Sequence, residues 1–167
     1  MLGGSRSGKS GFAEALLADA ATVDYVATAA LVEGDAEWAD RITRHQQRRP
    51  DHWRTIETAD VAAVLDTPGG AVLVESVTTW LARVMDDCGA WGGPGEGVDA
   101  RVEALCRAWA RTERRTVLVS DEVGLGVVPE TRSGRLFRDA LGLLNQRLAA
   151  AADAVHLVVA GLPVRLR

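Results

Sequence analysis

Gly3-Gly4-Ser5-Arg6-Ser7-Gly8-Lys9-Ser10 is the stretch whose reading decides the fold. Its spacing fits G-x-x-x-x-G-K-[ST], a phosphate loop. Glycines let such a backbone turn tightly and aim several N–H groups at phosphate oxygens, and the helix that follows adds the positive end of its dipole. Lys9 is then placed for the β- and γ-phosphates, and the Ser10 hydroxyl for one position on Mg²⁺. The competing reading is a Gly/Ser-rich disordered N-terminus. Two features weigh against it: an amphipathic segment begins at Lys9, and Lys9 is the one lysine among 19 Lys and Arg residues. Only Met1-Leu2 precede Gly3, where a phosphate loop normally follows a central strand. This favours a true start upstream, because a two-residue stub is expected to anchor the loop poorly.

Outward from the loop, β-branched runs alternate with longer amphipathic segments, the pattern of a largely parallel α/β sheet in one domain over residues 1–167. Strands are expected at 24–28, 54–57, 71–75, 116–120 and 154–160, and helices at 9–20, 35–48, 78–87, 99–111 and 131–152. Val72-Leu73-Val74 and Val117-Leu118-Val119 are unbroken apolar runs, as in central strands covered on both faces. Gly161-Leu162-Pro163 turns the chain into a short antiparallel edge strand over 164–166, with Pro163 tolerated at its start because a ladder donor can be missing there. The glycine-rich stretch 88–97 reads as a loop.

The composition narrows the function classes. A net charge of −4 argues against a general nucleic-acid binder. No apolar run approaches the ~18 residues of a membrane span. Cys88 and Cys106 are the only cysteines, without metal-ligand spacing, and suit a reducing cytoplasm.

Two further constellations carry chemistry. Arg41, Arg44, Arg48, Arg49 and Arg54 surround His45, with Asp51 the single acid among them. That positive charge suits a triphosphate and would hold His45 neutral, as a nucleophile must be. An imidazole attacking phosphorus splits nucleotidyl transfer into two easier steps. The plainer reading of a histidine near a helix end is a structural hydrogen-bonder. Glu75 and Asp121-Glu122 close apolar strands, at the ends where open α/β sheets bind ligands, and either could serve a metal. The plainer reading for each is a helix cap or turn acid. The loop Glu122-Val123-Gly124-Leu125-Gly126-Val127-Val128-Pro129-Glu130 reads as a substrate or phosphate-side loop.

Taken in order, these segments resemble the bifunctional adenosylcobinamide kinase / adenosylcobinamide-phosphate guanylyltransferase family of cobalamin biosynthesis. The resemblance runs through the phosphate loop, Tyr25-Val26-Ala27-Thr28-Ala29, Arg41-Ile42-x-x-His45 and Arg49-Pro50-x-x-Trp53-x-Thr55-x-Glu57. It continues in Val74-Glu75-Ser76-Val77-Thr78-Thr79, the Glu122 to Glu130 block, Phe137-Arg138-Asp139 and Asn145-Gln146. It implies a RecA-like P-loop NTPase fold and a homotrimer. It implies phosphorylation of adenosylcobinamide by ATP or GTP, with Mg²⁺, followed by transfer of GMP from GTP through a guanylylated His45. It also implies nucleotide contacts at Gly3, Gly4, Ser5, Arg6, Ser7, Gly8, Lys9, Ser10, Thr28, Ala29, Ala30, Gln46, Gln47, Arg48, Arg49, Glu57 and Glu75. Readings to be weighed against this are a single one of the two activities, or a non-catalytic nucleotide-sensing module.

Overall fold

The computed structural model of the chain describes residues 1–29, 50, 52–93 and 95–167. Its strands are β1 (Leu2–Gly3), β2 (Val23–Ala27), β3 (Trp53–Glu57), β4 (Ala71–Glu75), β5 (Thr116–Asp121), β6 (His156–Val159) and β7 (Leu162–Arg165). Its helices are α1 (Lys9–Ala15), α2 (Val61–Asp66), α3 (Val77–Asp87), α4 (Val98–Arg111) and α5 (Arg132–Ala151), with a 3₁₀ turn at Ala90–Gly92. The strands form one sheet in the order β3-β2-β4-β5-β1-β6-β7, parallel throughout except for the β6–β7 hairpin.

The apolar runs do what their composition requires. Val72 and Val74 of β4 turn to one face with Val26 and Leu118, where they meet Val61, Val77, Leu81, Leu105, Leu141 and Leu144 from α2 to α5. Ala71 and Leu73 turn to the other face with Tyr25 and Val119, where they meet Ala13 and Leu17 at α1 and its exit. Period-two alternation in a sheet covered on both faces thus yields two cores, and the centre of β4, Val72-Leu73-Val74, is apolar towards both of them.

Several boundaries differ from expectation for identifiable reasons. α1 stops at Ala15, short of residue 20, because the next bonds tighten to three-residue spacing (Leu17 N–H to Glu14, Ala18 N–H to Ala15). α2 was not anticipated, yet its signals are present: the Asp60 side chain accepts from Ala63 N–H at 3.1 Å, and Val61 and Leu65 are buried one turn apart. The expected helix over 35–48 lies outside the described residues. β7 begins at Leu162, so Pro163 is its second residue and sits opposite Val158 in the edge ladder. β1 has two residues, but they pair with β5 on one side and β6 on the other. Met1 adds bonds to both neighbours of Val119 in β5: its amino group donates to the Leu118 carbonyl at 2.8 Å, and its carbonyl accepts from Ser120 N–H at 2.9 Å. The stub is therefore held on two flanks, contrary to the poor anchoring expected of it.

At the opposite end of the sheet from the phosphate loop, Arg114 holds three connections together. It donates to Asp24 Oδ2 at 2.6 Å and to the carbonyls of Gly70, Val64 and Thr67. Burial would raise the Asp24 carboxyl, but hydrogen bonds from Arg54 and Arg114 hold it below its ordinary value. Replacing Arg114 by Met should destabilise the fold by about 3–5 kcal/mol, because Asp24 would lose its buried partner. Urea unfolding measures this, and a loss below about 1 kcal/mol would mean that the pair behaves as a surface one.

Candidate nucleotide site

The phosphate loop keeps its shape through contacts that its sequence permits and few others would. Gly8 caps α1 at φ 95°, a left-handed conformation that favours glycine. A side chain at Gly3 would lie 2.6 Å from Ser7 Oγ and 2.7 Å from the Val158 carbonyl. The far side of the loop rests on the β6–β7 turn, where Gly161 N–H donates to the Ser7 carbonyl at 2.8 Å. That turn takes positive φ at Ala160 and Gly161, as a tight two-residue hairpin requires. Gly4, Ser5, Arg6 and Gly8 are exposed, while Ser7 and Lys9 are buried. Ser7 Oγ is buried with no hydrogen-bond partner among the described residues.

Parallel register aligns the acidic residues on the carboxyl edge of the sheet. Glu57, Ala27 and Glu75 stand level across β3, β2 and β4, and Asp121 stands level with Gly3 across β5 and β1. Lys9 Nζ lies 2.7 Å from Asp121 Oδ1 and donates to the Gly4 carbonyl at 3.3 Å. Ser10 Oγ donates to Glu75 Oε1 at 3.0 Å. The two acids thus divide the loop between them, Asp121 with the lysine and Glu75 with the serine. Glu75 Oε2 is buried and has no hydrogen-bond partner among the described residues. Burial pushes the Glu75 carboxyl up to about 7, against the opposing pull of the Ser10 hydrogen bond and the Lys9 charge.

A hard-oxygen pair of hydroxyl and carboxylate, one oxygen of it unsatisfied, fits a small divalent cation. Mg²⁺ usually keeps several waters and substrate oxygens and takes only one or two protein groups. No cluster of three or more His, Cys, Asp or Glu side chains suited to a metal occurs among the described residues.

The folded pKa of Glu75 lies above the unfolded one, so between about 4.5 and about 7 the folded protein binds the extra proton. Stability therefore falls as pH rises through that window. A shift of this size corresponds to about 3 kcal/mol as an upper bound. Glu75→Gln should remove this part of the pH slope in nucleotide-free protein. Denaturant unfolding at pH 5 and pH 8 checks it, and an unchanged slope would show that Glu75 is solvated.

The remaining candidates are placed unevenly. Thr28 is fully buried, its Oγ1 2.7 Å from the Ser76 carbonyl and from Thr79 Oγ1, so that side chain ties β2 to the start of α3. Ala29 follows it, half-buried. Glu57 is exposed at the end of the edge strand β3. Arg54, counted above among the arginines around His45, is bonded to Asp24 at 2.8 Å. Ala30, His45, Gln46, Gln47, Arg48 and Arg49 lie outside the described residues.

Three side chains that had no assigned role support the site. Thr78 Oγ1 accepts Asp121 N–H at 2.8 Å. Asn145 of α5 donates to the Asp121 carbonyl at 3.1 Å and accepts from the Ser120 hydroxyl at 2.7 Å. A buried Asn on an apolar helix face was the available signal, because such a group must find partners.

A loop cradled at a helix start, a lysine and a serine each met by a strand-end carboxylate, and a parallel sheet together define a P-loop nucleotide-binding protein. Over residues 1–166 the chain matches the family described as cobinamide kinase / cobinamide phosphate guanyltransferase, and it belongs to that family. It is 42% identical over 182 residues to the bifunctional adenosylcobalamin biosynthesis protein CobU of Escherichia coli, covering 99% of this chain and 97% of that one. Identity and coverage are the same for CobU of Salmonella typhimurium. The protein CobP of Pseudomonas aeruginosa, of the same description, is 40% identical over 174 residues, covering 100% of this chain and 95% of that one.

Proposed function

We propose that this chain phosphorylates adenosylcobinamide with ATP or GTP, then transfers GMP from GTP to the phosphate so formed. The observation that carries the reading is the Lys9 and Ser10 pair at the head of α1, facing Asp121 and Glu75, in a chain of this family. In the kinase step Lys9 and the loop amides stabilise charge on the γ-phosphoryl group as it passes to the acceptor hydroxyl. In the guanylyl step His45 attacks the α-phosphorus, forming an N–P bond as the bond to pyrophosphate breaks. The acceptor phosphate then displaces the histidine. Mg²⁺ held by Ser10 and Glu75 would neutralise phosphate charge. The nucleotide contacts proposed are those of the phosphate loop together with Thr28, Ala29, Ala30, Gln46, Gln47, Arg48, Arg49, Glu57 and Glu75.

A homotrimer working in a reducing cytoplasm completes the proposal. Exposed Leu162 and Val164 on the edge strand, with Leu166 just beyond it, support self-association, and free Cys88 and Cys106 suit that compartment. No described helix is long and apolar enough to cross a membrane. Incubating pure protein with GTP, Mg²⁺ and adenosylcobinamide and weighing the products should give adenosylcobinamide-GDP and pyrophosphate. Bound GTP without turnover would instead favour a nucleotide-sensing module.

A further inference from the structure

β5 delivers more than Asp121 to the carboxyl edge. The loop that follows turns Val123 inward against the core, while Leu125 is 85% exposed, Val127 95% and Val128 57%. Scattered exposed apolar residues are ordinary, but three within four positions beside a phosphate site are not. Nor is their exposure the looseness of a free tail. Glu122 N–H donates to the Gly3 carbonyl at 3.1 Å, and Glu122 Oε1 accepts Gly124 N–H at 2.8 Å. At the other end Arg135 donates to the carbonyls of Pro129 and Glu130, and Thr131 caps α5 by accepting Gly134 N–H at 3.1 Å. Both ends are fixed, the first of them to the phosphate loop itself.

We propose that Leu125, Val127 and Val128 form the seat for the corrin macrocycle of the acceptor, and so help to set the enzyme's choice of acceptor. This rests on the reading of the preceding subsection. An acceptor that presents one hydroxyl or phosphate to Lys9 must leave its much wider ring outside the phosphate cleft. Its periphery alternates methyl groups with amide side chains, so the surface it meets there must offer apolar contact to the methyl-bearing ring. The bonded step from Gly3 to Glu122 makes this loop continuous with the phosphate cradle. A nucleotide base is a poorer occupant, because its hydrogen-bonding edges would find no partner on these three side chains.

The Leu125→Ser/Val127→Ser double variant tests the assignment, since both side chains are exposed and their loss removes no core packing. With adenosylcobinamide as probe, its KM should rise at least about tenfold, while the Kd for GTP changes by less than about twofold. Leu125→Ile/Val127→Ile should restore the KM. An unchanged acceptor KM in a turning-over enzyme overturns the seat and leaves the functional reading standing. A wild-type protein that binds GTP but never turns over adenosylcobinamide overturns both. A raised KM that accompanies dissociation of the oligomer in sedimentation overturns the seat and assigns the loop to a second copy.

Discussion

Lys9→Ala is expected to lower the rate of both phosphorus transfers by ~10²–10³, the usual cost of removing one donor preorganised on developing charge. The ammonium is buried, which strengthens its interaction with a phosphate relative to water. It is also already aimed: Asp121 and the Gly4 carbonyl hold it in the cradle, so little reorganisation is needed when phosphates arrive. No other lysine exists in the chain to substitute for it. Stability should change little, because Asp121 is partly exposed and can be hydrated once its partner is gone. Lys9→Arg should rescue poorly, since a planar fork cannot occupy the position of a compact point charge. Steady-state rates with matched urea unfolding curves check this. Wild-type turnover in folded Lys9→Ala protein would remove the loop from the chemistry.

Much of this fold is legible in the sequence because the interior strands carry no ambiguity. Val72-Leu73-Val74 and Val117-Leu118-Val119 cannot face water on either side, so they are buried strands of a parallel sheet, and both lie where they were expected. The antiparallel edge strand was legible too, because a glycine turn followed by proline leaves few alternatives. What the residues did not disclose depends on register. Nothing along the chain says that Glu75 and Asp121 are divided between Ser10 and Lys9, since that depends on how β4 and β5 align with the helix start. The same holds for Asn145, whose partners lie on a strand some two dozen residues away. Arg54 shows the converse error: a cluster of arginines looks collective along the chain, but one of them is committed to Asp24.

His45→Ala should abolish the second half of the reaction while sparing the first. With α-labelled GTP and no acceptor, the native protein is expected to retain labelled GMP through a phosphorus–nitrogen bond, stable to base and labile to acid. The variant should retain none. The expectation follows from the chemistry of the group: an imidazole kept neutral by nearby cations is a good nucleophile and, once attached to phosphorus, a good leaving group. Four arginines, Arg41, Arg44, Arg48 and Arg49, remain beside it in the sequence after Arg54 is subtracted. The kinase step does not pass through this nitrogen, so the variant should still convert adenosylcobinamide to its phosphate at a rate within about tenfold of wild type. The split is what makes the measurement decisive. Loss of both activities would mean that His45 shapes the common nucleotide site, and an adduct that survives the substitution would place the nucleophile elsewhere. Only the selective loss joins one phosphate loop to two phosphorus centres, γ for the kinase and α for the guanylyl transfer.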